Sequence, residues 1–296
     1  MKNVIALGFF DLIHNGHIAI FKKTIEIADE LSATPSVFTF SNDIYKVLGK
    51  RNIPVNSFEE RAELIKSFGI KRIISQEGTK EFLSLSGKEF LDFLVNHYSA
   101  AALICGEDFR CGKNAEYGVK EIENYCKENG LLFCVESLLY YNGNKIGSRL
   151  IKNLLLEGKV DEIAAYLGRN FQVKGKVVDG RKEGRLYGFP TANIFVEHCI
   201  LMKGVYQTEI SFDNMSFKAV TNVGDHPTIG DNVNNIESFL IDFKGDLYQK
   251  VITVKFIRLL RDIYKFSSKE ELFLQISNDV DAVRSGKETQ IIGERK

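Results

Sequence analysis

The 296-residue sequence predicts an α/β plus β protein, with an N-terminal doubly wound α/β domain followed by a C-terminal antiparallel β-barrel. Three observations predict it. Apolar runs of strand length alternate with helical-period segments through the first half, as in a parallel sheet wound in right-handed crossovers. After Asn170 the texture changes to short alternating runs punctuated by Gly, Asn and Asp without intervening helices, which is the pattern of a barrel or sandwich. The length suits about two domains of ordinary size.

In order, Val4–Phe10 reads as a first strand, and Asp11–Gly16 breaks it before Ile18–Leu31 resumes at helical spacing. Ser36–Phe40, Lys71–Ile74, Ala101–Cys105 and Leu131–Ser137 read as strands; Phe58–Phe68, Gly87–Tyr98 and Tyr117–Asn129 read as the helices between them. Ser148–Leu167 reads as one helical stretch with Gly158 inside it, joining the domains. The expected division is residues 1–155, a helical linker at 156–169 and a second domain at 170–296. Phe171–Val178, Gly204–Phe212, Ser216–Val223, Ile236–Phe243 and Val251–Leu260 read as the second domain's strands, and Lys269–Arg284 as a closing amphipathic helix.

Lys plus Arg equals Asp plus Glu, 39 each, so no general polyanion-binding surface is implied and a nucleic-acid module is disfavoured. Five cysteines form no CxxC pair and leave an odd one, which fits reduced thiols in a cytoplasm. Lys2 before Val4–Phe10 could be mistaken for an export signal, but the run is short and meets Asp11 and His14; no apolar stretch is long enough to span a bilayer. The expected partners are small molecules, and the chain is expected to be a monomer or a weak homo-oligomer.

Two stretches carry chemistry. In Gly180–Asn193, three glycines with Arg181, Lys182 and Arg185 lead into Pro190, Thr191 and Asn193, the make-up of a phosphate clamp. Thr191 and Asn193 stand two apart, so on an extended segment both face the same side and can share one Mg²⁺. The competing reading is a glycine-rich hairpin with a solvated basic tip. Gly175–Gly180 has the glycine spacing of a Walker loop, but Arg181-Lys182 follows where Lys-Ser/Thr is required.

The other stretch is Gly8-Phe-Phe-Asp-Leu-Ile-His-Asn-Gly-His17. His14 and His17 stand three apart at a helix entrance after a strand, and Gly16 leaves room for a phosphate at the positive helix end. Imidazoles so placed can stabilise an α-phosphate as charge builds on it. The plainer reading is two histidines capping a helix.

HxGH with an upstream Gly-x-Phe-Asp resembles the nucleotidylyltransferase superfamily, and Gly106-Glu-Asp-Phe-Arg-Cys-Gly-Lys with Gly118 resembles its flavin branch. Gly188-Phe-Pro-Thr-Ala-Asn193, with Gly204-Val-Tyr206 and Asn222-Val-Gly224, resembles riboflavin kinase. The order is similar to that of the bacterial bifunctional riboflavin kinase/FMN adenylyltransferase family. The resemblance implies a Rossmann-like nucleotidylyltransferase domain and a β-barrel kinase domain. It implies ATP, riboflavin and FMN as substrates, with Mg²⁺ and ATP phosphates on Thr191 and Asn193 and the general base at Glu237. It also implies a flavin contact at Arg261, whose plain alternative is a surface cation. In the first domain it implies ATP binding by Gly8, Phe10, Asp11, His14, Gly16, His17, Ser148 and Lys152, with Asp108 and Arg110 shaping the flavin and nucleotide pocket. The plainer alternative for those two is that they pair with each other.

The chain departs from the family at Leu12, where glycine is usual, and at Thr39-Phe-Ser-Asn-Asp-Ile-Tyr45. Leu150 stands where the family's phosphate-gripping arginine is expected, and Arg149 would point about 100° away on a helix. A kinase with a weakened adenylyltransferase is the alternative this raises, and a flavin- or nucleotide-binding regulator without turnover is a third reading.

Overall fold

Five parallel strands lie in the order β3-β2-β1-β4-β5 in the N-terminal part of the computed structural model: β1 Asn3–Leu7, β2 Thr34–Phe40, β3 Arg72–Gln76, β4 Ala100–Gly106 and β5 Leu132–Glu136. Residues 2–50, 54–178, 189–197, 199–225, 233–292 and 294–295 are described. The chain divides into two units, Met1–Leu150 and Ile151–Lys296.

The strands of the first unit are joined by α1 Asn15–Glu30, α2 Ile44–Val47, α3 Phe58–Ser67, α4 Lys80–Leu83, α5 Gly87–Tyr98 and α6 Val119–Glu128. Strand alternation sends Val4 and Ala6 to one face and Ile5 and Leu7 to the other. Phe21, Ala28 and Ile65 cover the first face; Phe90, Leu91, Leu94 and Ile122 cover the second. Because β1 is buried on both faces it reads as an unbroken apolar run. It ends at Leu7, three residues before the expected boundary, and Phe10 already has φ 57° in the turn beyond. The strand order reverses between β1 and β4, and ligands of such sheets sit outside the carboxyl ends at that point. The loops after β1 and β4 therefore share one rim. A hairpin of β6 Tyr140–Tyr141 and β7 Asn144–Lys145 follows β5.

Ser148–Leu167 is two helices, α7 Ser148–Leu156 and α8 Val160–Leu167, where one was expected. Gly158 breaks it with φ 72°, and a Cβ there would lie 2.8 Å from the Met202 methyl.

The second unit holds six antiparallel strands: β8 Gln172–Lys176, β9 Thr191–Glu197, β10 Gly204–Phe212, β11 Met215–Asp225, β12 Val233–Leu240 and β13 Val251–Arg261, in the order β8-β13-β10-β11-β12-β9. A bridge from Val178 to Asn193 brings the first and last strands together, so the sheet closes on itself. Closure removes exposed sheet edges. The unit ends with the strand pair β14 Tyr264–Lys265 and β15 Glu294–Arg295, which flanks α9 Lys269–Ser285. Inside the barrel, Thr208, Thr221 and Ser238 link their hydroxyls across three strands at 2.6 and 2.9 Å, so each buried hydroxyl is paired.

Candidate functional site

His14 is the N-cap of α1. Its Nδ1 accepts the backbone N–H of His17 at 3.4 Å, and the two imidazoles stack with centroids 3.7 Å apart. Capping and ligand binding are compatible here: an accepting Nδ1 leaves the ring's proton on Nε2, so His14 can donate from its other edge. A Cβ at Gly16 would lie 3.2 Å from the His14 ring. Glycine at the third position of HxGH thus admits the imidazole as well as an anion. Phe10 packs edge-on against His17 at 5.1 Å, and a Cβ at Gly8 would meet the Phe10 ring at 2.7 Å.

Asp11 is buried, and its Oδ1 accepts the backbone N–H groups of Val55 and Asn56 at 3.0 and 3.2 Å. The carboxylate fixes the entrance to α3. Ser148, the first residue of α7, donates its hydroxyl to the Asp11 carbonyl at 2.9 Å, which ties the end of the unit to the HxGH turn. Lys152 is half-buried and Arg149 exposed. Leu12, at the departure from the family pattern, has φ 59°.

A residue that sequence reading missed lies beneath this turn. Arg61 of α3 is 1% exposed. Its guanidinium donates to the carbonyls of Phe9 and Phe40 at 2.6 and 2.8 Å and to the Thr39 hydroxyl at 2.9 Å, and it lies 4.3 Å from the Phe9 ring centroid. Thr39 also donates to the Phe9 carbonyl at 3.0 Å. Burial pushes the Arg61 pKa down, and the charge of Asp11 opposes that. A lone arginine on the inward face of an amphipathic helix was the available signal. The altered segment after β2 forms α2, capped by the Asp43 carboxylate, and Tyr45 meets Phe9 edge-on at 5.3 Å.

Across the rim, Asp108 and Arg110 do not pair with each other. Asp108 takes Lys145 of the β6–β7 hairpin at 2.6 Å, and Arg110 donates to the carbonyls of Ala115 and Glu116 at 2.6 and 3.4 Å. Both are exposed.

In the barrel, Thr191 donates to Glu237 Oε1 at 2.6 Å, and Asn193 stands directly opposite Glu237 in the β9–β12 register. Asn222 flanks Glu237 on the other side. Ala192 and Ile194 turn into the barrel with Ile236 and Ser238, so alternation puts Thr191, Asn193 and Glu237 together on the outer face. Asn193 is 6% exposed, whereas Thr191 and Glu237 keep part of their surface open. A hydroxyl, an amide and a carboxylate supply the hard oxygen donors that suit Mg²⁺. Gly180, Arg181, Lys182 and Arg185 of the expected phosphate loop lie outside the described residues.

Arg261 is not the surface cation of the plain alternative: it is buried, its Nε and Nη2 bond the fully buried Asp279 of α9 at 3.0 and 2.9 Å, and its Nη1 donates to the Asp262 carbonyl at 3.2 Å. Asp279 also takes Gln275 at 3.0 Å and Thr289 at 2.7 Å, and the Gln275 carbonyl takes the N–H of Ile292 at 2.7 Å. Arg261 thereby anchors α9 and the following segment to the end of β13.

A doubly wound unit with an imidazole pair at its switch point, joined to a barrel bearing a threonine–glutamate–asparagine set, defines a nucleotide-using transferase with two sites. Residues 1–150 match the FAD synthetase family and residues 167–286 the riboflavin kinase family. The chain is 32% identical over 290 residues to the bifunctional riboflavin kinase/FMN adenylyltransferase of Buchnera aphidicola subsp. Acyrthosiphon pisum (strain APS), covering 94% of this chain and 91% of that one. It is 30% identical over 286 residues to that of Bacillus subtilis (strain 168), covering 94% and 90%. The crystal structure of a protein described as the macrolide-efflux protein from Streptococcus pneumoniae superposes with a TM-score of 0.86 at 25% identity, over 96% of this chain and 94% of that one. The chain belongs to the bifunctional riboflavin kinase/FMN adenylyltransferase family.

Proposed function

We propose that this enzyme phosphorylates riboflavin with ATP to give FMN and ADP, then adenylylates FMN with a second ATP to give FAD and pyrophosphate. The observation that carries the reading is the meeting of Thr191 and Glu237, 46 positions apart in sequence, beside Asn193 on one barrel face. Glu237 takes the proton of the ribityl 5′-hydroxyl as that oxygen attacks the γ-phosphate of ATP. The Thr191 hydroxyl, donating to the same carboxylate, orients it. Thr191 and Asn193 hold Mg²⁺, which supplies charge neutralisation on the ATP phosphates. Gly180, Arg181, Lys182 and Arg185 serve the ATP phosphates, and Arg261, at the end of β13, serves the flavin side.

Adenylyl transfer belongs to residues 1–155, the kinase to residues 170–296, and the segment 156–169 links them. His14 and His17 donate to the α-phosphate while an FMN phosphate oxygen attacks it and pyrophosphate leaves. Gly8, Phe10, Asp11 and Gly16 shape that turn, Ser148 and Lys152 bring α7 to the ATP phosphates, and Asp108 and Arg110 border the flavin. No covalent enzyme intermediate is needed, because positioning and charge stabilisation suffice. No helix among the described residues is long and apolar enough to cross a membrane. A cytoplasmic setting, a monomeric or weakly homo-oligomeric state and the absence of a nucleic-acid partner belong to the same proposal.

The purified chain, given riboflavin, ATP and Mg²⁺, is expected to form FMN first and then FAD, with one pyrophosphate per FAD by chromatography and pyrophosphate assay. FMN without FAD would favour the reading in which only the kinase is efficient, which Leu12 and Leu150 support. Absence of FMN would overturn both readings.

A further inference from the structure

We infer that Arg61 is a positioning residue for adenylyl transfer, holding the turn between β1 and α1 in the shape that sets His14 and His17. The inference rests on the adenylyltransferase reading of that turn. Phe10 and Leu12 both have φ near 60° within it, and neither is glycine, so the turn needs outside restraint to keep its shape. Among the described residues, restraints reach both its halves, and the Gly8 N–H donates to the Phe38 carbonyl at 3.4 Å at its start. Ser148 holds the Asp11 carbonyl and Asp11 holds the start of α3, but both act on its later half.

The earlier half is held at the Phe9 carbonyl. Arg61 and Thr39 fill that oxygen's two lone pairs, and the same guanidinium holds Thr39 and the Phe40 carbonyl at the end of β2. One planar fork thus locks the turn to its neighbouring strand from inside. Among the described residues Arg61 Nε has no hydrogen-bond partner, so the side chain is aimed at this contact at the expense of its own full satisfaction. A guanidinium spreads its donors over two carbonyls and a hydroxyl, whereas an ammonium is a point donor on a flexible stem.

The test is carried out on the full chain with Arg61→Lys and Arg61→Met, supplying FMN and ATP to follow FAD formation and riboflavin and ATP to follow FMN formation. Arg61→Lys is expected to lower kcat for FAD formation about 10-fold and Arg61→Met about 100-fold, with the KM for ATP within about 3-fold of the parent, because the loss falls on transition-state contacts. FMN formation is expected to stay unchanged. Amide hydrogen exchange is expected to rise about 10-fold at Phe9–Ile13 but not at Val4–Leu7, a local opening of the turn over an intact sheet. Parental kcat in folded Arg61→Lys, or exchange rising equally across β1, would overturn the positioning role while leaving the adenylyltransferase reading intact. A parent chain that forms FMN but no FAD would remove that reading, and this role with it.

Discussion

Leu12 places a branched side chain, 1% exposed, on a backbone at φ 59°. Left-handed backbone costs an L-residue roughly 1–2 kcal/mol, and full burial of a leucine returns roughly 1.5–3 kcal/mol, so packing outweighs strain and the residue is tolerated where glycine is usual in the family. A comparison with Leu91, buried in α5 on ordinary helical backbone, separates the two effects. Truncation to Ala is expected to cost about 2–5 kcal/mol at either site. Going on to Gly is expected to cost a further 1–2 kcal/mol or so at Leu91, through helix propensity and the lost Cβ, and close to nothing at Leu12, where strain relief offsets that loss. Denaturant unfolding of the N-terminal unit reads both steps. An equal Ala-to-Gly penalty at the two sites would show that Leu12 stores no strain.

Carboxylates at helix N-termini make the elements acid-sensitive. The Ser86 and Gly118 amides hold Glu89 and Glu121 below the ordinary glutamate value of 4.5 at the starts of α5 and α6, and the Ser267 hydroxyl and amide do the same for Glu271 before α9. A pKa depressed by folding contributes stability above the unfolded value and loses it as pH falls through the folded one. Unfolding midpoints should therefore drop as pH falls below about 4.5, and Glu89→Gln with Glu121→Gln should flatten that slope between about pH 5 and 3. Parallel midpoint curves for the double variant and the parent would count against the caps as the source. Local signals of this kind made α5 and β10 legible to the residue, as Gly87–Tyr98 and Gly204–Phe212. HxGH was legible because its histidines are three residues apart. The break at Gly158 depends on Met202, and the burial of Arg261 depends on Asp279, 18 positions on; periodicity carries neither contact. Glu237 was legible only through family resemblance and its hydrogen bond from Thr191, 46 positions away, was not legible at all; Arg61 was hidden because a buried cation breaks the helix's apolar pattern without marking what it touches.

At the scale of the molecule, the two reactions are carried by separate units and joined by a shared intermediate, FMN. His17→Asn removes an imidazole from the first unit and is expected to lower FAD formation about 100- to 1,000-fold while FMN accumulates. Glu237→Gln removes the proposed base from the second and is expected to lower FMN formation roughly 100- to 10,000-fold while supplied FMN is still converted to FAD. Each variant keeps the site the other lacks. An equimolar mixture given riboflavin and ATP should therefore make FAD, provided the His17→Asn chain releases FMN into solution and the Glu237→Gln chain takes it up. Since FMN must cross between chains, FAD should appear after a lag that shortens as protein concentration rises, and the parent should show the same dependence if its FMN also passes through solution. A Glu237→Gln chain that forms FMN at the parental rate would remove Glu237 as the base. A mixture that makes FMN but never FAD would mean that FMN has to pass between the two sites of one chain.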